Sequence, residues 1–299
     1  MINSKTMFYI FIVFAMIFWG ASWVNVKFLS SYVNEYELII LRMGISFICM
    51  LPIIFFLRHK ISIDFKTIFL VLLASISLVS YSIVFFLGVD HGTAGFGGAL
   101  VTTLIPINTF LILAVLNKKS ISIKHSLALA LGAFGVLTML NIWSFDINEI
   151  FSIENIYFLL ASIFWPILTI VSSKNTRTSP LVFTFYVYIL SSIFISLFYV
   201  DLGVLSQEIF TFDYVFWLNL FVITILATVF ASTIYFIGIN KLGTNEVSSF
   251  VFLVPSSALI LSAIFLDEKI TFTTIFGMIC TIIAIYILNN LSLFKLFRK

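Results

Sequence analysis

Ten apolar runs of about twenty residues each, separated by short polar turns, constrain this chain more than any other feature. They cover roughly residues 7–26, 36–57, 67–87, 93–116, 124–142, 155–173, 181–200, 214–237, 246–266 and 271–290. About twenty apolar residues in a helix span the hydrocarbon of a bilayer, and only helices or closed barrels satisfy their backbone there. The chain is 62% hydrophobic and 10% charged, against about 25% charged in an average soluble domain. The expectation is therefore an all-α integral membrane protein with ten transmembrane helices. No polar stretch is long enough for a soluble domain, and no basic patch suggests a nucleic acid. Short loops make consecutive helices antiparallel neighbours.

Orientation follows from where the cations fall. With the N-terminus in the cytoplasm, Lys5, Arg58, Lys60, Lys66, Lys118, Lys119, Lys124, Lys174, Arg177, Lys241, Lys295, Arg298 and Lys299 lie inside, 13 of the 16 basic residues. Lys27 and Lys269 fall outside, and Arg42 lies within a span. Of the 13 acidic residues only Asp64 and Glu246 fall inside. Both termini are thus expected in the cytoplasm. Cys49 and Cys280 lie in apolar runs and read as small hydrophobic residues, with neither a disulfide framework nor a metal site.

The chain also reads as one unit written twice. Gly92 to Lys119 opens on small residues, runs apolar through Pro106 and ends in polar residues; Gly243 to Lys269 does the same around Pro255. Laying Pro106 on Pro255 places Asn117-Lys118-Lys119 on Leu266-Asp267-Glu268, and Gly135 on Ala284, with no gap. Ile17-Phe18-Trp19 likewise matches Ile163-Phe164-Trp165. Ten helices divide into units of five, 1–145 and 146–299. Five is odd, so the second unit enters the membrane from the opposite side, an inverted repeat of the kind common in secondary transporters.

Polar groups within the spans fall on stripes. Ser162, Trp165, Thr169 and Ser173 share a face of the sixth span, and Thr224, Thr228, Ser232 and Tyr235 a face of the eighth. Trp19 and Ser22 face one way on the first, Thr102, Thr103 and Asn108 flank Pro106 on the fourth, and Tyr81 lies in a serine-rich third. Ser249 and Ser256 bracket Pro255. Serine and threonine also serve as packing residues that bond their own helix. Arg42 has two readings: it snorkels outward to headgroups or to Glu35 and Glu37, or it attracts a substrate carboxylate. Glu246 either caps the ninth helix or guards an inner gate. The glycines 92, 95, 97 and 98 fit close helix packing and not a nucleotide loop. No carboxylate lies mid-span, and there is no Walker loop, catalytic dyad or metal-ligand cluster.

Trp19-Gly20, Arg42, the small-residue opening before Pro106, Trp165, Pro255 with Ala258, Asp267-Glu268 and Gly277, taken in order, resemble the drug/metabolite transporter superfamily, and within it the EamA-type transporters. The resemblance spans nearly the whole chain. It departs at Asn117-Lys118-Lys119, where the family often has glutamate, and at Pro166, where it often has glycine. It implies a cavity lined mainly by helices 1, 3, 4, 6, 8 and 9, and export of amino acids or other small metabolites. The resulting expectation is a multi-pass exporter of zwitterionic metabolites in a bacterial inner membrane, without cofactor or enzymatic activity, monomeric or homodimeric among membrane lipid. Its substrate residues are Trp19, Ser22, Arg42, Tyr81, Thr102, Asn108, Trp165, Thr169, Ser232, Tyr235 and Ser249, and its gating residues Pro106, Pro255 and Glu246. The alternative is a carrier or enzyme handling lipid or polyprenyl chains.

Overall fold

A computed structural model describes residues 4–118, 121–141, 143, 151–199, 209–243, 247, 250–251 and 253–288. The described residues are helical, with no strand among them. In chain order the helices are α1 (Ser4–Leu29), α2 (Glu35–Phe56), α3 (Phe65–His91), α4 (Ala94–Leu116), α5 (Ile123–Met139), α6 (Ile153–Ser173), α7 (Pro180–Phe198), α8 (Tyr214–Leu242), α9 (Leu253–Phe265) and α10 (Phe272–Leu288). Seven of them, α1 to α4 and α6 to α8, are long and apolar enough to cross a membrane; α5, α9 and α10 are shorter apolar helices. The expected spans match these helices to within a few residues, apart from longer ends on α3 and α8 and a later start to α9. Residues 145 and 146, where the two units were divided, lie outside the described residues.

Local chemistry explains several helix starts. Asn34 accepts hydrogen bonds from Tyr36 N and Glu37 N, while Glu37 reaches back to Asn34 N, a reciprocal capping box. Asp64, Ser122 and Asp213 cap α3, α5 and α8 in the same way with one side-chain oxygen each. The α3 helix runs on to His91, four residues past the expected span.

Most of the larger helix contacts map onto themselves when α1 to α5 are exchanged with α6 to α10, though α4 on α10 and α1 on α4 have no equal counterpart. The packing of α1 on α9 mirrors α6 on α4; α3 on α6 mirrors α8 on α1; α2 on α8 mirrors α7 on α3. The pairs α5–α10, α2–α7 and α4–α9 are their own mirror images.

Small residues set how closely the units approach. A Cβ on Gly135 of α5 would sit 2.6 Å from the carbonyl oxygen of Gly277 in α10, and one on Gly277 would press as closely on that of Gly135. The two backbones therefore touch, a contact that glycine allows between apolar helices. On α4, a Cβ on Gly98 would meet Ala258 of α9, one on Gly97 would meet Phe158 of α6, and one on Gly95 would meet Ser262 of α9. The glycines of this stretch are packing residues, as their sequence context suggested. Cys49 and Cys280 are both free thiols.

Candidate functional site

Arg42 stands seven residues beyond the start of α2, about 10 Å along the axis at 1.5 Å per residue. Its side chain is 6% exposed and turns inward. Nε donates to Thr228 Oγ1 of α8 at 2.7 Å. The ion pairs among the described residues, Arg177–Asp64 and His91–Asp90, lie elsewhere. Among the described residues Arg42 is thus a buried cation with a hydroxyl and no carboxylate beside it. Burial of one unpaired ion costs several kcal/mol even after relaxation. The snorkelling reading does not hold: Glu35 and Glu37 line a separate cavity of about 340 Å³ at the α1–α2 turn, together with Tyr32 and Asp90.

Thr228 sits in an unusual stretch. Residues Val222–Phe230 of α8 form a π-helix between two α-helical segments, Tyr214–Phe221 and Ala231–Leu242. Such segments are rare and cluster at functional sites. Three neighbouring helices bond to this one. Trp19 Nε1 of α1 donates to Ala227 O at 2.9 Å, Ser46 Oγ of α2 to Thr224 O at 3.3 Å, and Tyr188 OH of α7 to Thr228 O at 3.3 Å. Within α8, Thr228 Oγ1 donates five residues back to Ile223 O at 2.6 Å. Thr228 therefore joins α2 through its hydroxyl and α7 through its carbonyl.

Arg42 and Thr228 line a central cavity with Trp165, Ser172, Tyr188 and Ser232. The cavity is about 10 Å³, roughly the room one water needs, so this conformation is closed around its own side chains. Two buried groups in it have no hydrogen-bond partner, Trp165 Nε1 and Ser172 Oγ. Beside it the aromatic residues pack on one another. Trp165 lies 5.1 Å from Trp19, 4.8 Å from Tyr81 and 6.3 Å from Tyr235 between ring centroids.

The expected site residues divide accordingly. Arg42, Trp165 and Ser232 line the cavity, and Trp19, Tyr81 and Tyr235 stack against its edge. Thr169 Oγ1 lies 3.3 Å from Tyr235 OH behind them. Ser22 and Thr102 bond carbonyls of their own helices, at Trp19 and Gly98, and are not in the cavity. Asn108 Nδ2 donates to Ser162 O and Ser162 Oγ at 2.9 and 3.0 Å, tying α4 to α6. Ser249 and Glu246 lie outside the described residues. Pro106 is buried within α4, which runs unbroken through it, and Pro255 falls in the first turn of α9, where its missing N–H disrupts least.

The lining differs from the resemblance. Helices α2, α3, α6, α7 and α8 surround the cavity, while among the described residues α1, α4 and α9 contribute none to its lining. The cause is the glycine-rich face of α4, which lets α6 and α9 close onto it and leaves no space there. Sequence reasoning missed Tyr188, Thr184 and Ser172. The four-residue spacing of Thr184 and Tyr188 on α7, and the seven-residue spacing of Trp165 and Ser172 on α6, were the available signals.

Both ends of the bundle are tied across the two halves. At one end Tyr32 OH donates to Asp213 Oδ1 at 2.9 Å, and Glu268 accepts from Ala94 N and Gly95 N at 2.8 Å each. At the other, Arg177 Nη1 meets Asp64 Oδ2 at 2.5 Å and Tyr186 OH donates to Ile61 O at 2.7 Å.

The model of the EamA-like transporter family matches the chain twice, over residues 6–141 and 152–290. No curated protein matches. Among solved structures 24 chains match; one, titled only "Crystal structure of protein", is 14% identical with a TM-score of 0.67, covering 95% of this chain and 98% of its own. At that identity the likeness speaks for the fold alone. Two matched repeats, most of the chain covered and helices apolar enough to cross a membrane lead to one assignment: the chain is a multi-pass membrane protein belonging to the EamA-like transporter family.

Proposed function

We propose that this transporter carries small carboxylate-bearing metabolites, amino acids and related zwitterions among them, by alternating access in a bacterial inner membrane. The observation that carries the reading is Arg42, a buried cation without a carboxylate at the closed centre of the fold. A substrate carboxylate would supply the missing charge, with Thr228 released and Trp165 Nε1 as a second donor. The ten helices are read as spans and the two five-helix units as inverted repeats, with both termini cytoplasmic. The ties at Tyr32–Asp213 and Glu268–α4 would then close the outer face, and Arg177–Asp64 the inner one. Opening breaks one set while the other holds, as expected of two halves rocking about a fixed site. Export is the direction we favour, and no chemical step is required of the protein. The test is counterflow in proteoliposomes loaded with a mixed pool of amino acids and organic acids and challenged with each labelled compound. Accumulation of a labelled carboxylate supports the reading; accumulation of amines or lipid-like compounds alone contradicts it.

A further inference from the structure

We infer that the central cavity discriminates by charge, taking small monocarboxylates with an apolar tail and a single net negative charge ahead of zwitterionic amino acids, and excluding amines. The inference rests on the reading of Arg42 as the carboxylate site and narrows it. Its basis is what the cavity leaves unmet. A guanidinium and an indole N–H are donors only, and at this site the first lacks a counter-charge while the second lacks any partner. What the cavity offers an ammonium is neutral. Thr228 Oγ1 already accepts from Arg42 and donates to Ile223 O. The hydroxyls of Tyr188, Thr184 and Ser232 donate to carbonyls and keep lone pairs, and Ser172 Oγ has no partner. Each can accept a hydrogen bond, but none carries the negative charge that would offset a second cation.

No acidic residue is among the described residues that line the cavity. Aromatic faces attract a cation, and Trp165, Phe183, Tyr188 and Phe236 all line the cavity, but that attraction is weaker than an ion pair and works here against the charge of Arg42. The rest of the wall is apolar: Met43, Leu78, Leu168, Phe183, Val187 and Phe236. An ammonium here would be a second unpaired cation close to Arg42, whereas a carboxylate with an alkyl tail neutralises the first and places its remainder on hydrocarbon. Burial without a partner costs several kcal/mol, so discrimination against the amine should exceed about a hundredfold and against the amino acid about tenfold.

Three probes sharing one branched skeleton separate the possibilities: 4-methyl-2-oxopentanoate, leucine and 3-methylbutylamine. Each is offered as label to proteoliposomes containing the full chain and preloaded with the same compound, beside Arg42→Gln and Arg42→Lys. The expected result is rapid counterflow of the oxo acid, weak counterflow of leucine and none of the amine, with Arg42→Gln inactive and Arg42→Lys partly active. Leucine moving as fast as the oxo acid, with Arg42→Gln inactive, overturns the charge selectivity and leaves Arg42 as the carboxylate site. Amine movement, or oxo-acid movement indifferent to Arg42→Gln, overturns both. If none of the three moves through protein that elutes as one species with a cooperative thermal transition, this substrate class is wrong. Retained elution and melting of Arg42→Gln separates loss of binding from loss of fold.

Discussion

Helices α2 and α7 hold equivalent places in the two halves and pack against each other, yet they bring different chemistry to one residue. Arg42, the eighth residue of α2, donates to the hydroxyl of Thr228; Tyr188, the ninth of α7, donates to its carbonyl. The helices they pack against in the opposite half are equally unlike. The α3 helix, against α7, is a continuous α-helix over 27 residues, whereas its counterpart α8, against α2, carries nine residues of π-helix. The scaffold is symmetric in most of its larger contacts, and the site is not. A duplicated fold lets one half keep a regular packing helix while the other accepts an irregular geometry held by Trp19, Ser46 and Tyr188. The centre of the molecule is where the two halves have diverged, and that is where a substrate has most to gain.

Four variants test this difference between scaffold and site. The largest effect should come from the symmetric scaffold: Gly135→Leu drives a side chain into the backbone of Gly277, and the detergent-solubilised protein should lose about 3 kcal/mol or more, read as a steep fall in melting temperature. Next is the shared residue itself. Thr228→Val removes the acceptor of the buried guanidinium, a charged hydrogen bond worth about 2 kcal/mol. It should lower stability by that much and slow counterflow as well. Tyr188→Phe deletes one neutral donor, about 1 kcal/mol; a smaller loss than in Thr228→Val would show that α2 outweighs α7 at this site. Smallest is the tie between exposed ends. Hydrogen bonds from Thr67, with Arg177 beside them, hold the Asp64 carboxyl below its ordinary value of 3.8. A depressed pKa stabilises the fold above the unfolded value and loses that contribution as pH falls through the folded one. Melting of wild type should therefore drop more steeply than that of Asp64→Asn below about pH 4, and parallel curves would remove Asp64 from the account.

Much of the fold was legible in the apolar runs, because in a membrane length and hydrophobicity decide helix placement. The order Pro106 to Gly135 against Pro255 to Ala284 exposed the repeat. The site was legible where a residue type is costly to bury: Arg42, Trp165, Trp19 and Tyr81 were all singled out, and all gather at the centre. Hydroxyl residues were not separable in advance. Ser22, Thr102 and Thr228 look alike in sequence, and each bonds a backbone carbonyl in its own helix. Only the π geometry and the approach of Arg42 distinguish Thr228. The contribution of α7 went unseen because Tyr188 sits among other aromatic residues, Tyr186 and Phe185, with no pattern marking which one turns inward.

The central claim is that Arg42 is kept for substrate at the expense of stability. The direct measurement is Arg42→Met, with melting temperature and carboxylate counterflow taken on the same preparation. Replacing a buried ion by an apolar side chain of similar length is often neutral or stabilising, by about 1–4 kcal/mol. The account predicts a protein that melts no lower than wild type and no longer exchanges carboxylates. A variant that melts several degrees lower while exchanging normally would make Arg42 a structural residue and contradict it.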